Sequence, residues 1–283
     1  MASRALVLGS GGVVGIAWQT GVLAGLAEQG VDLGEADLLI GTSAGAVVGA
    51  QLAAGVDPER LYAGQLVPPD GEPAPRTPMS GLVRLVWNIS RSKTTAEFGA
   101  RMGRIALSAA TVPEAERRAE IARWLGDVRQ WPARPLVITA VDAETGERVT
   151  FDAASGAGLV DCVAASAAGP GIRPPATIGG RRYIDGGMSS PGNVDLAAGY
   201  DRVVVLAPVT RGGGVMKGVA EQIAELSPRS RTALIEPGPE AWKQVVGRSL
   251  GGMMNPAHRP AAARAGHAQA LREAPRIAEL WRP

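Results

Sequence analysis

Two short apolar runs constrain this chain more than any other feature. "RALVLG" (residues 4–9) and "ADLLIG" (36–41) each end on glycine and lead into a helical pattern of small and apolar residues. A continuous apolar run bounded by glycine reads as a strand buried on both faces. The first is followed by "IAWQTGVLAGLAEQG" (16–30), with Ile16, Val22, Leu23 and Leu26 at helical spacing and Gly30 suited to the C-terminal cap. The second is followed by "AGAVVGAQLAAG" (44–55), small enough to pack close to a sheet.

The pattern continues downstream. "PLVITAVDAETGERVTFD" (135–152) reads as a strand, a turn at Thr145–Gly146 and a second strand; "RRYIDGG" (181–187) as a strand entering a glycine turn; "DRVVVLAPV" (201–209) as another buried strand; "RTALIEPGPE" (231–240) as one more. Strands alternating with helices predict an α/β fold, a mostly parallel central sheet in a three-layer α/β/α arrangement. At 283 residues the chain suits one large domain or two small ones, and length alone does not decide. The Pro-rich stretch "VPPDGEPAPRTP" (67–78) reads as a loop, 80–125 as helical, 211–218 as a glycine-rich loop, and the tail from Ala220 as helix-rich, with Ala261–Leu280 a solvated helix.

Composition excludes several function classes. With 46% hydrophobic and 20% charged residues the chain carries enough apolar material for a core. A formal charge of +2, with no dense basic stripe, argues against a nucleic-acid partner. The single cysteine, Cys162, excludes an internal disulfide framework and a multi-cysteine zinc site, and reads as a small buried residue. The N-terminus shows no signal-peptide pattern, and no uncharged apolar run reaches the ~18–20 residues that span a bilayer. The expectation is a cytoplasmic protein, with peripheral membrane contact left open.

The chemistry centres on "GTSAG" (41–45), which places G-x-S-x-G between a predicted strand and a predicted helix, the context such a motif requires. Gly41 and Gly45 remove side chains that would clash in a sharp turn, and Ser43 then projects near a helix N-terminus that favours negative charge. A tight βα turn in an Ala/Gly-rich chain has the same appearance. A nucleophilic hydroxyl needs a base. The two histidines, His258 and His267, both lie in the Ala/Arg/Pro-rich tail and not after a strand, so a Ser-His-Asp triad has little support.

"LGSGGVVG" (8–15) is a second glycine turn. As a dinucleotide fingerprint starting at Gly9 it lacks the third glycine, replaced by Val14, and no Lys-Ser/Thr follows to make a P-loop. It also suits a nest of backbone N–H groups around an oxyanion, or a purely structural turn. "YIDGG" (183–187) puts the Asp185 carboxylate at a strand end, followed by Gly186 and Gly187. Such a carboxylate accepts a serine proton only if its environment raises its basicity. An ordinary Asp-Gly turn reads the same way.

Taken in order, the glycine loop, G-x-S-x-G and D-G-G resemble the patatin-like phospholipase family, over roughly residues 4–55 and 135–210. The resemblance implies a patatin-like α/β fold with a helical cap or lid and a lipid acyl hydrolase that uses a Ser-Asp dyad without histidine. Ser43 is then the nucleophile and Asp185 the general base, the backbone at Gly11, Gly12 and Val13 forms the oxyanion hole, and no metal or organic cofactor is needed. Family members usually carry G-G-G-x-Arg/Lys-G, and here Val14 replaces the cation while Gly15 is kept. The expected organisation is a single catalytic domain over 1–283, with a lid insertion near 80–125 and a helix-rich extension over 220–283.

The segment 80–107 combines Leu82, Val83, Leu85, Val86, Trp87 and Ile89 with several arginines, and reads either as a lid at a bilayer interface or as a cap helix packed on the core. The expected partner is a lipid or small ester. The rivals are a soluble carboxylesterase or thioesterase with the same dyad, and a non-catalytic lipid-binding relative. Oligomeric state is not legible.

Overall fold

The computed structural model describes residues 2–67, 91–226, 230–238 and 250–281. Residues 68–78 of the expected Pro-rich loop and 80–90 of the expected lid lie outside the described residues.

The first βα unit is β1 (Arg4–Leu8) and α1 (Gly12–Glu28). The helix begins at Gly12, before the apolar spacing that marks it, and stops as expected. Gly30 takes φ 72°, its N–H donates to the Ala27 carbonyl, and Val31 N–H reaches back to Leu26. That pair of bonds is a Schellman cap, which requires a left-handed residue at the position glycine fills. The second unit is β2 (Leu38–Thr42) and α2 (Ala44–Ala53). Among the described residues, α3 (Pro58–Leu66), α4 (Thr95–Ser108) and α5 (Glu114–Leu125) follow. The strand-turn-strand stretch becomes β3 (Leu136–Asp142) and β4 (Arg148–Phe151), with Gly146 at φ 76° in the turn. Then come α6 (Leu159–Ser166), β5 (Ala176–Ile178), β6 (Arg181–Asp185), β7 (Arg202–Leu206), α7 (Val219–Glu225), β8 (Arg231–Ile235) and α8 (Arg259–Trp281).

The eight strands form one mixed sheet, ordered β5-β6-β3-β2-β1-β7-β8, with β4 on the remaining edge of β3. The β3-β2-β1-β7-β8 stretch is parallel throughout. Strand alternation divides the core. Leu6, Leu8, Leu39 and Ile138 face α1, α2, α6 and α8, while Ala5, Val7, Ile40, Val203 and Val205 face α7 and the turn at Val194–Ala197. Helices thus cover both faces, as expected of an α/β fold.

Packing corrects one expectation. The tail is not a solvated helix. Ala262, Ala263, Gly266, Ala270, Ala274, Ile277 and Leu280 are buried along one face of α8, which lies against α1. The approach is close because the contact residues are small: a Cβ on Gly266 would collide with the Trp18 carbonyl. Alanine and glycine carry little hydrophobic signal, so the stripe is hidden among the arginines. In the described part of the expected lid, α4 packs one face on the sheet. In α4, Phe98, Met102 and Ala106 are buried against Val141 and Ile184. Cys162 is fully buried, and desolvation pushes its thiol up to about 12.

Candidate active site

The site lies at the carboxyl ends of β1 and β2. β1 has β2 on one side and β7 on the other, so successive connections depart in opposite directions and leave a crevice there.

β3 acts as a common template for the two arms. Its Ala140 pairs with Val149 of β4 on one side and with Asp185 of β6 on the other. Its neighbour Thr139 pairs with Thr150 of β4 and with Thr42 of β2. β2 and β6 therefore share one edge of β3 and meet end to end, each with its carboxyl end at the junction. Ser43 follows Thr42 directly, and Asp185 is the last residue of β6. The Ser43 hydroxyl donates to Asp185 Oδ2 at 2.8 Å.

The elbow is strained. Ser43 sits at φ 55°, ψ −113°, a region that side-chain-bearing residues rarely occupy. Its N–H donates to Ser166 Oγ at 2.8 Å. Gly45 is there because α2 crosses β1 closely: a Cβ would overlap the Leu8 carbonyl. Gly41 and Gly186 are similarly crowded, by Ala46 and by Thr139 respectively.

Asp185 is 9% exposed. Burial pushes its carboxyl up to about 6, against the opposing pull of the Gly187 N–H, the Ser43 hydroxyl and the Arg117 charge. The Gly187 N–H donates to Oδ1 at 2.8 Å, leaving Oδ2 for the serine. A carboxylate so placed is a far better base near neutral pH than a solvated aspartate.

The glycine loop completes the crevice. Gly9 N–H donates to Leu206 O and Ser10 N–H to Pro191 O, which anchors the loop's start. Gly12, at φ 61°, opens α1. The N–H groups of Gly11, Gly12, Val13 and Val14 have no backbone acceptor among the described residues, as expected of a free helix N-terminus. Ser10 also meets the D-G-G turn, since a Cβ on Gly187 would stand 2.7 Å from Ser10 Oγ. The three motifs are brought to one place.

The histidines are elsewhere. His267 pairs with Glu28 at 2.9 Å and stacks on Tyr62, and His258 lies near Asn255. Ser43 Oγ is already committed to Asp185.

Several supporting residues had no signal in the sequence. Asn193, fully buried at φ 49°, donates from Nδ2 to Thr42 Oγ1 (3.0 Å), Thr139 Oγ1 (3.3 Å) and the Gly186 carbonyl (3.4 Å). It thus ties the residue before Ser43 to the residue after Asp185. Arg117, also buried, donates to Glu120 and to the Ala167 carbonyl, next to the Ala168 carbonyl that accepts the Asp185 N–H. Only the tolerance of asparagine for a left-handed backbone hinted at Asn193.

The structure thus brings a serine on a strand-to-helix elbow, a buried carboxylate and the N-terminus of a helix together in an α/β protein. The chain belongs to the patatin-like phospholipase family, whose sequence model matches residues 6–198. Among solved structures it is similar to VipD from Legionella pneumophila, with 13% identity and a TM-score of 0.48 over 98% of this chain and 67% of that one. It is also similar to the type III effector protein ExoU, with 18% identity and a TM-score of 0.39 over 96% of this chain and 53% of that one. No curated protein matches the sequence. Among the described residues, no helix is long and apolar enough to cross a membrane.

Proposed function

We propose that the protein hydrolyses carboxylic esters of lipids, with Ser43 as nucleophile and Asp185 as general base. The observation that carries this reading is the 2.8 Å bond from Ser43 Oγ to a buried carboxylate raised to about 6. Ser43 Oγ attacks the ester carbonyl carbon and its proton passes to Asp185 Oδ2. The carbonyl oxygen becomes an oxyanion, met by the N–H groups of Gly11, Gly12 and Val13. Collapse breaks the ester C–O bond, and the leaving alkoxide takes the proton from Asp185. Water then gives a proton to Asp185 as it attacks the acyl carbon; collapse breaks the bond from that carbon to Ser43 Oγ, the fatty acid leaves, and Oγ takes the proton back from Asp185. Each oxyanion donor is worth about 3 kcal/mol in comparable holes, so the glycine loop matters as much as the dyad. No step depends on a cation at position 14, because backbone N–H groups do the stabilising.

We also propose that the helix-rich extension is part of one catalytic body, since α8 buries an entire face against α1. Labelling with a fluorophosphonate tests the reading. The wild type should label, and Ser43→Ala should not. Asp185→Asn should lower ester turnover by about 10²–10⁴-fold, the usual contribution of a general base. Equal labelling of wild type and Ser43→Ala would remove the nucleophile assignment.

A further inference from the structure

The last turn of α6 lies in the run "VAASAAGP" (163–170), where Ser166 is the only polar side chain. Ser166 and Ala168 are fully buried. Alanine is the better helix former and would occupy position 166 without burying a hydroxyl. The hydroxyl has a partner, and it is the backbone of the nucleophile: Ser43 N–H donates to Ser166 Oγ at 2.8 Å. Two residues on, the Ala168 carbonyl accepts the Asp185 N–H at 3.0 Å. The end of α6 and the two residues beyond it thus hold both members of the dyad by their backbones.

This helix end is itself fixed. Leu159, Cys162 and Val163 are buried in the core. The last carbonyls of a helix lack partners within it, and Arg117 of α5 donates to the Ala167 carbonyl at 3.3 Å. Glu120 holds Arg117 at 2.7 Å, and the Trp124 ring lies 4.8 Å from its guanidinium. The grip is complementary to that of Asn193, which ties the flanking residues Thr42 and Gly186.

The grip matters because the elbow is strained. A backbone at φ 55°, ψ −113° persists only where its surroundings over-determine it. The Ser43 N–H has no backbone acceptor among the described residues, so Ser166 Oγ is what stops the peptide before Ser43 from rotating. If that peptide turns, Ser43 Oγ turns with it, away from Asp185 Oδ2.

We propose that Ser166 is a positioning residue for Ser43: the bond from the Ser43 N–H to Ser166 Oγ keeps the elbow in the conformation that aims Ser43 Oγ at Asp185 Oδ2. Fully buried, Ser166 acts through Ser43 and does not touch the substrate. The proposal rests on the hydrolase reading above.

Three variants test it, with p-nitrophenyl butyrate as substrate. In Ser166→Ala the Ser43 N–H is buried without an acceptor and the elbow should relax. kcat should fall about 10–30-fold with KM within about twofold, and fluorophosphonate labelling of Ser43 should slow by the same factor. The Asp185 carboxylate then loses the Ser43 hydroxyl and keeps the Gly187 N–H and the Arg117 charge, so the kcat/KM midpoint should rise from about 6 to about 6.5 or higher. Threonine retains the acceptor, and Ser166→Thr should keep kcat within about threefold of wild type. Ile277→Val trims a fully buried side chain of α8 and should lower stability while leaving kcat, labelling and midpoint unchanged. Wild-type kcat and midpoint in Ser166→Ala would overturn the proposal. So would Ser166→Thr as slow as Ser166→Ala, or an equal loss in Ile277→Val. Amide hydrogen exchange at Ser43 reports without turnover, and should speed about tenfold or more in Ser166→Ala but not in Ile277→Val. A wild type that labels, with Ser166→Ala unaffected, sinks the positioning role alone. A wild type that neither labels nor turns over sinks the hydrolase reading, and unchanged Ser43 exchange in Ser166→Ala would then sink the grip on the elbow as well.

Discussion

Replacing Asp185 by asparagine should cost activity and stabilise the fold. The carboxyl is pushed from 3.8 to about 6 by burial. Its ionised form is therefore disfavoured in the folded protein. Relative to a neutral group of the same shape, the aspartate's contribution is most favourable below pH 3.8 and is lost as pH rises through about 6. The gap of roughly two units corresponds to about 3 kcal/mol, fully developed above neutrality. Asparagine keeps an oxygen to accept the Gly187 N–H and an amide that donates to Ser43 Oγ, so few contacts are sacrificed. In urea titrations at pH 7.5, Asp185→Asn should gain about 1–3 kcal/mol over wild type. At pH 4.5 about 2 kcal/mol of that difference should have disappeared. Asp142 and Asp201, which their hydrogen-bond partners hold low, titrate alike in both proteins and cancel from the difference. The same protonation governs catalysis. In wild type kcat/KM should fall about tenfold between its plateau and pH 5, with a midpoint near 6. A midpoint near 4, or a stability difference that does not change with pH, would refute the claim that Asp185 is a desolvated base.

Two further outcomes follow from packing. Gly266→Val should destabilise by several kcal/mol, because its side chain would enter the Trp18 carbonyl at the α1–α8 crossing; unchanged thermal unfolding would mean the helices are not in contact. Replacing both His258 and His267 with alanine should leave kcat within about threefold of wild type in a protein that is still folded, because the serine proton already has its acceptor.

The strands were legible where short apolar runs are bounded by glycine, proline or charge, which is why β1, β2, β7 and β8 and the β3–β4 turn fall where the pattern puts them. β5 escaped because three residues carry no periodicity. The first turn of α1 escaped because Gly12 and Gly15 are poor helix formers, and tertiary packing under Pro208 and Ala44 overrides that weakness. The buried face of α8 was hidden by its own chemistry, since close helix contact selects alanine and glycine rather than leucine. Site residues with a motif around them were legible. Those acting through geometry alone, Asn193 above all, were not.

What no local pattern could supply is the meeting of residues 142 positions apart. Each motif gave one strand end, and neither specified a register. The link between them is β3. Pairing Thr42 with Thr139 and Asp185 with Ala140 brings two strand ends to adjacent rungs of one ladder, about 3.3 Å apart along the strand. Alternation does the rest. Thr42 and Thr139 turn to the Asn193 side, while Ala140 and Asp185 turn to the α1–α2 side, where Ser43 is. A slip of one residue in β6 would send the carboxylate to the opposite face. Asp185 is thus positioned by its own strand's pairing as much as by the glycines after it. Those glycines protect the pairing in turn, since Gly186 lets the chain leave β6 against Thr139 without forcing that register apart.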